Sequence, residues 1–398
     1  MPVSSTEQMR RWTGPALFSY GFRPFFLFGS LWAACAMCLW ILVLSGALTL
    51  PSRLDPVSWH AHAFLFGYLG AIIAGFLLTA VPNWTGRLPV VGTSLIGVFA
   101  LWGIGRIAML FSGLIPFGYA AATDLAFPLV LGAFLLREIV AGRNWRNLPV
   151  LLLLMVFTLS DLLFLLEAGR GGNAATGFGM RLGLGSALMM VALIGGRIIP
   201  SFTRNWLVKA GHAARPVPPM QRFDKATLAL SALALLAWGA APLHVVTALL
   251  LAVIGVLHLI RLSRWQGLMT RREPILFVLH MSYLCLPLGA LAVSVSILWP
   301  GMLAGPAAVH LWTAGVIGGM TLSVMSRASL GHTGRDLQAS AGTVAVYVAL
   351  FAATILRFLA GFVPLTGLYQ LSGGFWIMAF LGFAIQYAPM LWSAKRSR

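Results

Sequence analysis

Six of the eight histidines lie in or beside long apolar stretches, where a polar side chain is costly and usually functional. Neutral imidazole is a common metal ligand and a usual axial ligand of b-type haem. The sequence therefore predicts that the protein holds haem b or a metal ion between its helices. The candidate metal ligands are His60, His62, His258, His280, His310 and His332, whereas His212 and His244 are interpreted as backbone or headgroup hydrogen-bond partners.

His60 and His62 are separated by one residue, which limits how they can act together. Residues two apart on an α-helix project about 200° apart, so both rings cannot face one metal within a regular helix. Either the pair lies in an unwound segment and chelates together, or each histidine serves a different centre. Both alternatives stay open at this point.

Charged residues also interrupt the apolar stretches, where an unpaired charge is costly. Arg106 and Asp124 fall at similar depths in consecutive stretches and are interpreted as an ion pair. Arg181 is interpreted as a partner of Asp161 or Glu167 in the same way. Alternatively, arginines bind haem propionates, which match the guanidinium fork. Further candidates for propionate binding are Arg23, Arg197 and Arg327.

The composition explains why these residues stand out. The chain is 59% hydrophobic and only 9% charged over 398 residues, so lipid must be its main solvent. The net charge of +18 comes mostly from short loops between apolar stretches, which excludes a nucleic-acid surface. Cys35, Cys38 and Cys285 all lie within apolar runs, which excludes a disulfide framework.

Stretches of about 20 apolar residues, enough to cross ~30 Å of hydrocarbon, predict an all-α polytopic membrane protein with twelve transmembrane helices. We expect one transmembrane domain over residues 1–398. Spans seven and eight are joined by Ala241-Pro242, so eleven is the alternative count. The predicted spans are 25–48, 60–82, 89–112, 116–137, 148–169, 176–200, 225–240, 242–264, 273–298, 306–328, 341–362 and 370–393.

Basic residues are concentrated in the loops after even-numbered spans, as in Arg143 to Arg146 and Arg271 to Arg272. Because basic loops stay in the cytoplasm, both termini are predicted to be cytoplasmic. The basic C-terminal residues Lys395, Arg396 and Arg398 agree with this orientation.

This orientation divides the candidate histidines into two sets by depth. At 1.5 Å per residue, His310 lies ~6 Å below the outer face, where span two begins. His258 and His280 lie within about 10 Å of the inner face. The outer set is His60, His62 and His310, and the inner set is His258, His280 and His332.

Spans two and ten end in similar sequences, Pro82-Asn83-Trp84-Thr85-Gly86-Arg87 and Leu330-Gly331-His332-Thr333-Gly334-Arg335. The separation from His62 to Arg87 is 25 residues, as is that from His310 to Arg335. Span six ends in a looser relative of this motif, without a matching histidine. Since these spans are four apart, the sequence predicts three repeats of four helices.

Several motifs in order make the chain resemble the NnrS family over nearly its whole length. One departure is Ala63, where the family pattern leads us to expect an acidic residue after His-x-His. The motifs are Gly21-Phe22-Arg23-Pro24-Phe25-Phe26, Trp59-His60-Ala61-His62, Gly75-Phe76-Leu77-Leu78-Thr79-Ala80-Val81-Pro82-Asn83-Trp84-Thr85-Gly86, Gly196-Arg197-Ile198-Ile199-Pro200-Ser201-Phe202-Thr203-Arg204-Asn205-Trp206, Gly318-Gly319-Met320-Thr321 and Arg327-Ala328-Ser329-Leu330-Gly331-His332-Thr333-Gly334-Arg335.

The resemblance implies a multi-pass protein of the bacterial inner membrane that contains haem and copper and takes part in nitric oxide metabolism and protection from nitrosative stress. An arrangement of twelve spans as three repeats of four helices also resembles the catalytic subunit of haem–copper oxidases and nitric oxide reductases. There, spans two and ten share a haem, a role that His62 and His310 would fit, leaving His60 for a second centre. The chain lacks that subunit's adjacent His-His pair, so the analogy concerns the fold alone.

The leading hypothesis is a haem- and copper-binding membrane protein that binds nitric oxide. Reduction of nitric oxide, with electrons from an unknown donor, would make it an oxidoreductase similar to nitric oxide reductase. The resemblance leaves that enzymatic activity open. The alternatives are a transporter or metal-handling permease, which the repeat and the buried charges favour, and a non-catalytic nitric oxide sensor.

Overall fold

The computed structural model describes residues 12–86, 89–363 and 365–394, and every regular element in these ranges is a helix. Twelve of the described helices are long and apolar enough to cross a membrane. They are α1 (Phe22–Leu44), α2 (Pro56–Pro82), α3 (Thr93–Leu110), α4 (Phe117–Ala141), α5 (Trp145–Gly169), α6 (Phe178–Lys209), α7 (Arg222–Ala240), α8 (Val245–Ser263), α9 (Pro274–Leu298), α10 (Gly305–His332), α11 (Ala341–Leu359) and α12 (Thr366–Trp392).

The predicted fold class and the count of twelve spans are confirmed, since α7 and α8 are separate helices on either side of Ala241. The twelve apolar helices fit a multi-pass membrane protein. Some residues of the sequence argument lie outside the described residues: Arg87 of the repeat motif, and Lys395, Arg396 and Arg398.

Several helices are longer than their predicted spans, among them α6 and α10. Helix α6 continues through Pro200 to Lys209, because a proline within a membrane helix removes one donor without ending the helix when its neighbours support it. Helix α10 continues to His332. His332 is therefore the last residue of a helix, which corrects the expectation that it follows span ten.

Helix α2 begins earlier than predicted, at Pro56. The Asp55 carboxylate accepts hydrogen bonds from the backbone N–H groups of Val57 and Ser58, and proline is favoured in the first turn. The helix is consequently already formed at His60 and His62. The unwound alternative for this pair is wrong.

Three of the spans contain a π-helical segment, a feature that is frequent at functional sites. The segments are Ala63–Tyr68 in α2, Val191–Gly195 in α6 and Leu311–Gly318 in α10. In α2 and α10 the segment directly follows a candidate histidine. It begins 22 residues before the threonine of the motif shared by spans two and ten, which is Thr85 in α2 and Thr333 in α10. In α6 the corresponding separation, from Val191 to Thr203, is 12 residues. This shared register favours a relation between spans two and ten, and the three-fold repeat stays a prediction.

Side chains of neighbouring helices donate hydrogen bonds to carbonyl groups of these π segments. Trp32 Nε1 donates to the Ala63 carbonyl at 2.9 Å, and Trp102 Nε1 donates to the Gly67 carbonyl at 2.9 Å. Arg261 Nη1 donates to the Ala192 carbonyl at 2.8 Å. Because buried carbonyl groups need partners, these donors stabilise the departures from regular α-helix.

The described residues form two compact units. The first comprises those of Met1–Gly183, Ala328–Asp336 and Phe380–Arg398, and it contains α1 to α5. The second comprises Leu184–Arg327 and those of Leu337–Ala379, and it contains α7, α8, α9 and α11. Helices α6, α10 and α12 contribute residues to both. The single transmembrane domain over 1–398 stays a prediction.

Candidate metal centre

Four successive helices of the first unit each contribute one ionisable side chain to a buried cluster, hereafter the His62 cluster. The side chains are His62 on α2, Arg106 on α3, Asp124 on α4 and Asp161 on α5. All four residues are at most 4% exposed. Charged groups at such positions are costly unless they are paired, so their convergence indicates a function or a tightly matched ion-pair network.

The His62 ring nitrogen Nε2 lies at the centre of this cluster. It is 3.1 Å from Asp124 Oδ2 and 3.2 Å from Asp161 Oδ1. One donor atom from each of the three residues lies within 4.8 Å of the others. An imidazole nitrogen and two carboxylate oxygens this close can coordinate a single metal ion after small side-chain adjustments.

Arg106 completes the cluster through the ion pair with Asp124 that the sequence analysis predicted. The guanidinium Nη2 donates to Asp124 Oδ1. Asp161, one of the two candidate partners of Arg181, lies against His62. Glu167, the other candidate, accepts hydrogen bonds from the backbone N–H groups of Phe178 and Gly179 at the start of α6.

His60 lies in different surroundings from His62, as expected for residues two apart on a helix. Its ring stacks on Trp40 with 4.5 Å between centroids and contacts Phe64 at 4.9 Å. The geometry therefore favours separate roles for His60 and His62. Binding of a cofactor by His60 stays a prediction.

His310 belongs to the second unit and ends the first α-helical segment of α10. Its Nδ1 lies 2.6 Å from the carbonyl oxygen of Pro306. Because a carbonyl only accepts, Nδ1 carries a proton. Metal-binding histidines usually have this arrangement.

His258 is surrounded by a network of neutral partners in the second unit. Its Nδ1 lies 2.9 Å from the Tyr283 hydroxyl, and its Nε2 lies 2.9 Å from Ser231 Oγ. Arg261 Nη1 donates to the Tyr283 oxygen at 2.9 Å, so the phenol proton must point to His258 Nδ1. Both ring nitrogens are thus satisfied, as in a structural core histidine, and metal binding by His258 stays a prediction.

His280 differs from His258 because one of its nitrogens has no such partner. Thr203 Oγ1 donates to the Ile199 carbonyl at 2.9 Å and lies 2.8 Å from His280 Nε2, which therefore carries the proton. Nδ1 is buried and has no hydrogen-bond partner among the described residues. His280 consequently presents a lone pair, which is compatible with its predicted role as a ligand.

His332 lies among aromatic rings in the first unit. Its ring centroid is 5.4 Å from that of Tyr20, in a stacked arrangement, and 5.4 Å from that of Phe22. Its predicted role as a metal ligand is a proposal that these contacts do not test.

The three arginines proposed to bind propionates have different partners. Arg23 Nη1 donates to the carbonyl oxygens of Leu391 at 3.1 Å and Ser393 at 2.6 Å, so it caps the end of α12. The Arg327 guanidinium lies 4.1 Å from the centroid of the Phe202 ring. Arg197 is half-buried in α6, just after the π segment. Both carbonyl contacts of Arg23 hold it at the end of α12, which disfavours propionate binding by this residue.

Every member of the His62 cluster stands out in the sequence as a buried polar residue, but residue spacing alone does not predict that the four lie together. Similar depth in consecutive spans was a sufficient signal for Arg106 and Asp124. The same signal made Asp161 one of two candidate partners of Arg181, with Glu167, because depth along a helix does not specify which way a side chain points around the axis.

Comparison with known proteins supports the resemblance seen in the sequence. A family model described as NnrS protein matches residues 16–395. No curated protein matches the chain. Because the family model covers nearly the whole chain, including all four residues of the His62 cluster, this protein belongs to the NnrS family.

Proposed function

We propose that the protein binds nitric oxide at metal centres inside the membrane, and that it contains haem b and copper and protects the cell from nitrosative stress. Its membership of the NnrS family supports a membrane protein related to nitric oxide. The observation that carries the proposal is the buried set of imidazole and carboxylate donors in the His62 cluster. Such a set is costly in an apolar bundle and suits a metal ion.

His310 fits the role of a haem ligand. Its Nδ1–H is held by the Pro306 carbonyl, as in many metal-binding histidines, whose second ring nitrogen is oriented in this way. Arg197 and Arg327 belong to the same unit as His310 and are the better candidates for propionate binding. Haem would supply an iron atom that binds nitric oxide.

His62 does not fit the role of a haem ligand in this arrangement. A porphyrin needs a flat space in front of the ligating nitrogen, and the oxygens of Asp124 and Asp161 occupy that space at 3.1 and 3.2 Å from Nε2. The same oxygens fit a metal ion that all three side chains bind together.

The proposal places the protein in a bacterial inner membrane with both termini in the cytoplasm. Reduction of nitric oxide would require electrons from a donor. Consumption of nitric oxide with an artificial electron donor therefore separates a reductase from a non-catalytic sensor.

Haem and metal analysis of the detergent-purified protein tests the proposal. We expect a pyridine haemochrome spectrum and bound metal in the wild type, and loss of most haem absorbance in His310→Ala. The matched control is His244→Ala, since His244 is exposed and caps the start of α8. A folded protein with neither haem nor metal would reject the proposal and favour the transporter alternative.

A further inference from the structure

We infer that His62, Asp124 and Asp161 bind one non-haem divalent ion of the Fe²⁺ class, and that nitric oxide binds at its open coordination position. The inference rests on the proposed function and deepens it, because it assigns nitric oxide a second site besides haem. It follows from the donor atoms, the charge of the cluster and an adjoining cavity.

The donor atoms are directed at one point from three helices. Asp124 Oδ2 lies 3.1 Å from His62 Nε2, yet it accepts no hydrogen bond from any residue that the structure describes. Asp161 Oδ1 lies 3.2 Å from the same nitrogen. A buried carboxylate oxygen without a hydrogen bond is costly, and a metal ion would satisfy it.

The formal charge of the cluster also favours the binding of a cation. Two carboxylates and one guanidinium give −2 + 1 = −1 when His62 is neutral. The residues are at most 4% exposed, so water screens this charge poorly. A positive ion between the carboxylates therefore gains a strong electrostatic attraction.

Arg106 acts as a positioning residue for this site. It binds Asp124 Oδ1, which directs the second oxygen of the same carboxylate towards His62. Partners of this kind orient metal ligands and raise metal affinity. Gly67 makes room for the guanidinium, since a Cβ there would lie 2.5 Å from Arg106 Nη1.

A small apolar cavity adjoins the donor atoms. Its volume is about 10 Å³, close to the space that one water-sized molecule requires. Three protein ligands leave an open position on a metal ion, and this cavity could receive a neutral diatomic molecule there. Besides Arg106, Asp124 and Asp161, its lining includes Phe66, Gly70, Phe127, Leu131, Leu154 and Phe157.

The donor set indicates which metal the site takes. Carboxylates favour Mn²⁺, imidazole suits iron, and the absence of sulfur among these three ligands disfavours Cu(I). Ferrous iron binds nitric oxide strongly. We therefore assign the site to Fe²⁺. Mn²⁺ can replace Fe²⁺ there as a probe for electron paramagnetic resonance.

The test compares iron nitrosyl signals by electron paramagnetic resonance. The purified, haem-containing full-length protein is treated with a chelator, reloaded anaerobically with Fe²⁺ and exposed to nitric oxide. We expect the quartet signal of a non-haem iron nitrosyl in addition to the doublet of haem nitrosyl. The Asp161→Asn and His62→Ala variants should lose the quartet and bind Fe²⁺ at least tenfold more weakly while keeping the doublet.

The matched control is His212→Ala, which removes an exposed histidine and should keep both signals. Asp161→Asn retains the shape of the side chain, so it tests the site even if His62→Ala fails to fold. A doublet without a quartet in the wild type, or a quartet that survives in both variants, would overturn the inference and leave the proposed function intact. Absence of both signals would overturn the proposed function as well.

Discussion

The buried clusters around His62 and His258 differ in how well their polar groups are matched. Around His258, the Arg261 and Asp224 charges cancel, and Tyr283 and Ser231 satisfy the imidazole. Arg261 Nη2 is the exception, since it has no hydrogen-bond partner in the described part of the chain. Around His62, Asp124 Oδ2 and Arg106 Nε have no hydrogen-bond partner among the described residues, and one negative charge is left over when the imidazole is neutral. The His258 cluster is therefore interpreted as structural and the His62 cluster as a binding site.

Removal of the Tyr283 hydroxyl tests the structural interpretation. In Tyr283→Phe, His258 Nδ1 and Arg261 Nη1 each lose a buried partner. We expect the free energy of unfolding to fall by about 1–3 kcal/mol, because buried polar atoms left unsatisfied carry that penalty. Thermal unfolding in detergent measures it, and the haem and metal contents should not change.

The control for this prediction is Tyr119→Phe. Tyr119 is 72% exposed, so its loss should change the free energy of unfolding by less than about 0.5 kcal/mol. Equal effects of the two substitutions would contradict the structural role of Tyr283. Loss of metal in Tyr283→Phe would instead indicate that the His258 cluster binds a cofactor.

The sequence predicts the depth of a residue in the membrane but not the direction in which its side chain points around the helix axis, and the site depends on both. Depth along the membrane follows from residue number, and it paired Arg106 with Asp124 correctly. The direction of a side chain around its helix axis depends on how the helices pack, and this packing brings Asp161 into contact with His62. For the same reason, the sequence could state that His60 and His62 diverge on a helix but could not state that the helix begins at Pro56.

At the level of helices, the π segment in α2 explains how the His62 cluster is supported. The segment follows His62 directly, and its carbonyl groups accept hydrogen bonds from Trp32 and Trp102. Gly67 within it allows α3, with Arg106, to approach closely. No sequence signal marks this segment, because α2 is predominantly apolar and its hydrophobic pattern does not reveal a change in helical period.

The substitution Gly67→Ala tests this close approach. A Cβ at this position would lie 2.5 Å from Arg106 Nη1 and 2.9 Å from Trp32 Nε1, so the guanidinium must move. Crowding of this kind costs about 1–3 kcal/mol. We expect a lower melting temperature together with weaker Fe²⁺ binding, measured by thermal unfolding and by metal titration.

Gly103→Ala is the matched control for Gly67→Ala. Gly103 lies on α3, three residues before Arg106, and a Cβ there meets no described atom within 4 Å. Alanine also favours the helix over glycine. Stability should therefore stay the same or rise, and Fe²⁺ binding should be unchanged. If Gly67→Ala also left both properties unchanged, the close approach would not position Arg106.

Across the whole molecule, the sequence predicted the number of spans because the thickness of the hydrocarbon sets the required length of an apolar helix. It underestimated α6 and α10, which continue to Lys209 and His332, since a helix can extend beyond the bilayer without apolar residues. Apolar length identifies a crossing and does not mark where the backbone hydrogen bonding of the helix ends. The orientation in the membrane comes from a different property, the distribution of charge in the loops.

That distribution makes a prediction that reporter fusions can check. The loop between α8 and α9 contains Arg264, Arg271 and Arg272, whereas the loop between α9 and α10 contains no lysine or arginine. Basic loops resist translocation, so alkaline phosphatase fused after Gly267 should be inactive, and the same enzyme fused after Gly301 should be active. Green fluorescent protein at the same two positions should give the opposite result. The reverse pattern would place the termini outside and exchange the faces assigned to the two sets of histidines, yet the His62 cluster would keep its geometry, because its contacts do not depend on which side of the membrane is the cytoplasm.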